Sequence, residues 1–540
     1  MAFKKYTFLI TLLITCSLFI SCTKNPNTDE STTSPIDSSS TSELYAAYQW
    51  KDDQKLYGFI NIDGEFIIEP AYTYVTDFSE DLATVYDGNL FRVIDKTGQI
   101  IFESKGSIEP FKNGAAIITD YDTYKEGFID PSGKIIVKPI YQSAENFGID
   151  GTAMVSKSEG TFEVIDKSAK VVKTYPLDAA FEMVYDTKDG YASYVHRFND
   201  DYKLGIVSIA DGKIIIEPTF NDILNLGEGF FAAKNPSAET YDSMITPAAI
   251  FDHLGKQLSD YQYFDISPFH DGLASATDEK YTFFIGTDGQ KVTTLPTVEG
   301  RGTLRKVGSL IKSEINGDLS YLDTNGVVIW KGDSTRVLSD TIKVSEIGYA
   351  PSRLINIKYP SVEGIENEAI QSEINEILKA YFTNARSEEY MNNLSVEDDF
   401  SAKLLSNLLV IGKNGYDYYA GAAHGMPIQD FYYIDITTGA FYTFKDLFKA
   451  DSGYLEALSK IVRAQIQKQM ENEDSMFFPD AFTSLTDSSY FILGDQGIII
   501  YFYPYEISAY AGGFPEFKIP FADIESYIDT EGAFWKSFNP

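Results

Sequence analysis

The sequence predicts a mainly β repeat array, either β-propeller-like or an open β-superhelix, followed by an α+β domain. Three observations predict it. A turn with a nearby Asp recurs eight times between β-branched runs, built on Gly in every copy but one, where Ala169 stands. A Pro-plus-aromatic pair and a Phe before a small-residue turn keep phase with it. Beyond about Val344 the repeat stops, and apolar residues recur at helical spacing.

The chain of 540 residues opens with Lys4 and Lys5, then an apolar run from Phe8 to Ile20, then Ser21-Cys22. A short apolar segment behind two lysines reads as a secretory leader, shorter than a comfortable membrane span. Ser21-Cys22 resembles the lipobox of bacterial lipoproteins, although Phe19 stands where Leu is usual. The resemblance implies removal of residues 1–21, lipid attachment at Cys22, and residence at the cell membrane or outer membrane facing outward. An ordinary leader with an incidental Cys is the alternative. Cys16 leaves with the leader, so no disulfide can form and the folded part depends on its cores. Residues 22–43, rich in Ser, Thr, Asn, Asp and Pro, read as a disordered tether.

The net charge is −35, with 79 Asp and Glu against 44 Lys and Arg. That balance argues against nucleic acid, and against lying on anionic lipid, and favours basic partners. Membrane attachment is therefore expected through the lipid alone.

The array is expected over 44–335. Its turns fall at positions 64, 98, 133, 169, 212, 255, 289 and 326. Pro-plus-aromatic pairs follow at Pro70/Tyr72, Pro139/Tyr141 and Pro218/Phe220, and the Phe turns at Phe78, Phe111 and Phe269. These residues resemble the WG (KWG) β-repeat family of bacterial surface proteins. The Trp-Gly of the name is replaced by Tyr57-Gly58, Glu126-Gly127 and Leu204-Gly205. Each unit is too small to bury a core alone, so neighbours must stack.

From 344 to 540 an α+β domain is expected, with an accessory part to about 425 and a main part over 426–534. Ile374, Leu378 and Tyr381 mark one helix; Tyr454, Leu458, Val462 and Ile466 mark another. The motif order Tyr418-Tyr419-Ala420-Gly421, Asp435-Ile436-Thr437-Thr438-Gly439, Phe444-Lys445-Asp446-Leu447, Gly497-Ile498-Ile499 and Tyr510-Ala511-Gly512-Gly513 looks like a known extracellular domain. It is the domain of lysozyme-sensing anti-sigma factors and of the non-catalytic part of peptidoglycan deacetylases. The resemblance implies an extracellular binding role. It carries over neither a sigma-binding segment nor a catalytic domain.

For chemistry the sequence offers little. His196, His253, His270 and His424 have no metal-ligand spacing, and no hydrolase motif is present, so no metal, cofactor or catalytic residue is expected. The pairs Glu388-Glu389 and Asp398-Asp399 could serve a glycosidase, but acidic pairs are inevitable in so acidic a chain. Asp120-Tyr121-Asp122 and Asn199-Asp200-Asp201 read as solvated turns more readily than Ca²⁺ loops. The candidate ligand-binding residues are Tyr501, Tyr503, Tyr505 and Tyr510, the first three expected on one strand face, with His424 in a turn of small residues. The expectation is a non-catalytic surface lipoprotein binding a lysozyme-like or other basic protein, or a cell-wall glycan. A peptidoglycan hydrolase and a structural spacer are the alternatives.

Overall fold

The computed structural model describes residues 43–539 apart from 52–53, 159–160, 177–182, 199–200, 239–241, 384–392 and 473–474. Cys16, Cys22 and the expected leader and tether therefore lie outside the described residues, as do Glu388-Glu389 and Asn199-Asp200; of the tether only Glu43 is described, and it accepts the Ser309 N–H at 3.0 Å, so the folded part begins there.

Residues 45–331 form eight consecutive antiparallel sheets of three or four strands, in chain order. The recurring turn is the same device each time. In the second sheet the Asp95 carboxylate accepts the N–H groups of Thr97 and Gln99, and Gly98 closes the turn at φ +82°. Asp130, Asp166, Asp252 and Asp323 repeat that pattern with their own neighbours. The Gly kept from the family's Trp-Gly pair has its own reason. A Cβ on Gly127 would stand 2.4 Å from the Val137 carbonyl oxygen and 2.6 Å from the Pro139 nitrogen. Gly58 faces Ile68 and Pro70, and Gly205 faces Ile216 and Pro218, in the same way. At these places the strand register shifts, so the Pro bulge crosses directly over a glycine.

Each sheet is too thin to hide its own apolar faces, and the cores lie between sheets. Eight buried clusters join neighbouring pairs, for example Phe128, Val137, Phe147 and Val155 between the third and fourth sheets. The others follow the chain in order. The eighth cluster joins the last sheet to the first: Tyr45, Tyr48 and Ile60 pack on Leu310, Leu319 and Tyr321. The Tyr321 hydroxyl donates to the Ala46 carbonyl at 2.9 Å. Every sheet thus has two neighbours.

The C-terminal region is built differently. Seven strands between Arg336 and Tyr442 form one sheet, with the strand Met426–Asp435 paired along the strand Leu408–Tyr419. Helix α1, Glu368–Thr383, covers one face through Ile374, Leu378 and Phe382. Helix α2, Tyr454–Met470, packs with a second sheet of three strands, Phe491–Gly494, Gly497–Tyr501 and Glu516–Pro520. That second core includes Leu408 and Tyr433 of the larger sheet, so the two sheets share apolar residues.

Candidate functional site

The residues with a surface to offer gather at one end of the strand pair 408–419 and 426–435. The turn between these strands, 420–425, carries His424. Gly425 ends the turn beneath the Tyr416 ring. A Cβ there would lie 2.5 Å from the Asp417 carbonyl and from the Tyr416 ring, so only Gly fits. The Gly425 N–H donates to the Tyr416 hydroxyl at 2.8 Å.

His424 is held from both sides. Its Nδ1 lies 2.9 Å from the Gly425 carbonyl and its Nε2 lies 2.9 Å from the Tyr505 hydroxyl. A carbonyl can only accept, so in the neutral ring Nδ1 carries the hydrogen and Nε2 accepts from Tyr505. The ring stacks on Tyr510 with centroids 3.8 Å apart. The Tyr510 and Tyr416 hydroxyls stand 3.5 Å apart, and hydrogen bonding with Tyr416 pushes the Tyr510 phenol above its ordinary value. Tyr505 is 51% exposed and adopts φ +71°, a conformation costly for a bulky side chain.

Beside this group, residues 476–478 run along 507–509. Phe478 N–H donates to Ile507, and Ala509 N–H to Met476. Met476 and Phe478 are exposed, as are Tyr416 and Tyr419. The result is an aromatic and thioether surface with a hydroxyl and an imidazole set into it. Such a surface suits protein contact: large rigid rings lose little entropy on binding, and Met adapts its shape.

Of the five residues singled out in the sequence, three meet here: His424, Tyr505 and Tyr510. Two do not. The strand ends at Tyr501, so Tyr501, Tyr503 and Tyr505 do not share a strand face. Tyr501 is 1% exposed, its hydroxyl donating to Gln429, and burial pushes its phenol far up. The Tyr503 hydroxyl likewise bonds Gln429, pinning its ring to the strand edge. The sequence reading missed Tyr416, Met476 and Phe478. Tyr416 alternates with Tyr418 just before the small-residue turn, a signal that could have found it. Met476 and Phe478 lie in an irregular segment with no periodicity to expose them.

The other described candidates make local contacts within the fold. Asp398 is buried against Lys413 at 3.1 Å. Asp120 shapes its own hairpin by accepting from Asp122 and Thr123. His196 lies in the strand Tyr191–Phe198, His253 in the turn after Ala248–Phe251, and His270 just before Leu273–Thr277.

Comparisons with known proteins agree with this division. Residues 57–91, 127–160 and 210–235 match the model of the WG containing repeat. Residues 445–522 match the DUF3298 model, described as a protein of unknown function. The chain carries WG-containing repeats and a C-terminal DUF3298 domain. It is also 26% identical over 192 residues to the anti-sigma-V factor RsiV of Bacillus subtilis strain 168, a match covering 33% of this chain and 66% of that factor. The chain thus spans just under two thirds of that relative's length. Among solved structures, a DUF3298 family member from Bacteroides fragilis is matched over its whole length and 37% of this chain, at 18% identity and TM-score 0.28. BamB from Moraxella catarrhalis is matched over 87% of its length and 53% of this chain, at 12% identity and TM-score 0.29. Among the described residues no helix is long and apolar enough to cross a membrane.

Proposed function

We propose that this chain is a cell-envelope lipoprotein, anchored through Cys22, that binds a cationic protein of the lysozyme type without catalysis of its own. The binding surface is the group Tyr416, His424, Tyr505 and Tyr510, extended by Met476 and Phe478. The observation that carries the reading is this exposed aromatic cluster, in a region that resembles the extracellular domain of lysozyme-sensing anti-sigma factors. The net charge of −35 supports a cationic partner, since it speeds encounter, while the rings fix the complex. In the same reading the eight sheets are blades of a β-propeller. A core between every neighbouring pair, last and first included, supports that architecture over an open superhelix.

The test uses the full chain against lysozyme and a basic control protein of similar size, at roughly 0.05 and 0.3 M salt. Binding through the rings is expected to survive the higher salt for lysozyme alone, and to weaken about tenfold or more with Tyr505→Ala or Tyr510→Ala. Equal binding of both proteins, erased together by salt, would leave only charge attraction and end the proposal. For the anchor, Cys22→Ala is expected to abolish labelling by a fatty-acid probe and release the protein from membranes.

A further inference from the structure

The repeat region has one unit whose hairpin is out of scale. The strands Leu82–Tyr86 and Phe91–Asp95 are joined by four residues, as are Ala116–Asp120 and Lys125–Ile129. The corresponding strands Phe230–Lys234 and Ala248–Phe251 are joined by residues 235–247. Within this extra length Asp242 and Met244 contact the C-terminal region at two points.

At the first point Arg353 reaches back to the insertion. Its guanidinium donates to the Met244 carbonyl at 2.7 Å, pairs with Glu279 at 3.2 Å and lies 3.6 Å over the Phe264 ring. Its side chain is only 6% exposed. At the second point Asp242, itself buried, turns its carboxylate onto the site loop. Oδ2 accepts the Tyr418 hydroxyl and the Gly421 N–H, both at 2.9 Å. Oδ1 accepts the Met244 N–H at 2.8 Å, which holds the carboxylate in place. Tyr418 and Gly421 flank the start of the turn whose far end places His424 on Tyr510.

We propose that residues 242–247 are a clasp, and that Asp242 is a positioning residue through which the repeat region fixes the turn 420–425 and so orders the His424–Tyr510 surface. This rests on the reading of that surface as the binding site. It gives the repeat region a role in recognition that stacking alone does not. A charged acceptor bonded to an N–H and a hydroxyl holds a turn more firmly than neutral contacts do, and a buried one is poorly replaced by water.

The experiment is hydrogen exchange on the full chain, comparing wild type with Asp242→Ala, Asp242→Asn and Tyr418→Phe, together with lysozyme affinity and thermal unfolding. In Asp242→Ala, exchange over 419–426 is expected to quicken by about tenfold or more, from the loss of two bonds to one carboxylate. The strands at 230–234 and 248–251 should keep their protection and the unfolding midpoint should hold, which separates positioning from general damage. Asp242→Asn, which keeps a neutral acceptor, should fall between. Asp242→Asn also serves if Asp242→Ala does not fold; Tyr418→Phe removes the bond from the other partner, together with the hydroxyl's approach to the Ala422 carbonyl at 3.1 Å inside the turn. Unchanged exchange over 419–426 in both Asp242→Ala and Tyr418→Phe overturns the clasp. Loosened exchange with undiminished lysozyme binding overturns the positioning role. If wild type does not bind lysozyme, the proposed partner fails, and the exchange data alone decide the clasp.

Discussion

The repeat region and the C-terminal region draw on the same aromatic-rich composition and use it in opposite ways. In the repeats, aromatic pairs recur in phase as mortar between sheets: Phe59 on Phe78, Phe128 on Phe147, Phe230 on Phe269. Polar side chains follow the same rule. Glu80 accepts the Gly114 N–H, Glu145 the Asp189 N–H, Asp189 the Glu228 N–H, and Glu228 those of Asp271 and Gly272. Each carboxylate holds the turn of the next unit. In the C-terminal region two large cores absorb most rings, and a few unrepeated ones are left on the surface around His424. Periodicity therefore separates fold from function here. What recurs at the repeat spacing is explained by stacking, and what breaks the spacing invites another explanation.

The contrast is first broken or sharpened by core truncation. Phe128→Ala should cost about 3–5 kcal/mol of local stability. Because the buried clusters join only neighbouring sheets, faster hydrogen exchange should centre on 107–176. Phe491→Ala, in the core shared with Tyr433 and Phe444, should instead raise exchange throughout 405–538. A global response to Phe128→Ala would show that the repeats unfold as one body.

The next effect depends on pH. Burial first, then the neighbouring Asp189, pushes Glu145 up to about 7. The folded chain therefore keeps a proton that the unfolded chain loses near its ordinary value of 4.5. Stability should fall as pH rises from about 4.5 to about 7, by at most about 3 kcal/mol. Glu145→Gln mimics the protonated form, so it should match wild type at pH 4 and exceed it at pH 8 in chemical denaturation. A constant difference across that range would show that Glu145 titrates normally.

The sequence made the repeats legible because their turns use residues with a single physical reason, Asp to accept two N–H groups and Gly to turn. It also located both long helices through the spacing of Ile374 and Leu378, and of Leu458, Val462 and Ile466. The site was half legible. His424, Tyr505 and Tyr510 stood out as chemistry among small residues. Tyr501 misled, because alternation was extended past Tyr501 itself, where the strand ends. The clasp was hidden, since Asp242 and Tyr418 are 176 residues apart and no local pattern joins them. The turn spacing hinted only that something was longer, since both 169–212 and 212–255 span 43 residues and neither singles out this insertion.

A smaller effect tests the contact between the last and first sheets. Tyr321→Phe keeps the ring against Tyr45, centroids 5.2 Å apart, and removes only the bond to the Ala46 carbonyl. A buried acceptor left without its donor should cost about 1–2 kcal/mol. The loss should appear as faster exchange in both 45–60 and 310–322. A change confined to one of those stretches would show that the two sheets do not support each other.

The smallest effect distinguishes the regions most sharply. Each contains a Tyr in the left-handed conformation, Tyr124 at φ +53° in a repeat hairpin and Tyr505 at φ +71° beside His424. Both are exposed, and for both Gly removes the steric cost of that conformation. Tyr124→Gly should therefore stabilise the chain by up to about 1 kcal/mol, with lysozyme binding untouched. Tyr505→Gly gains the same relief but loses the hydroxyl that meets His424 Nε2, so its stability should change by less, within about 1 kcal/mol. Its binding should fall. Tyr124 carries the same strain in a plain repeat turn, so strain alone does not mark Tyr505, and only the fall in binding separates the two. Equal behaviour of the two variants in both denaturation and binding would reduce Tyr505 to an ordinary turn residue, and the surface around His424 with it.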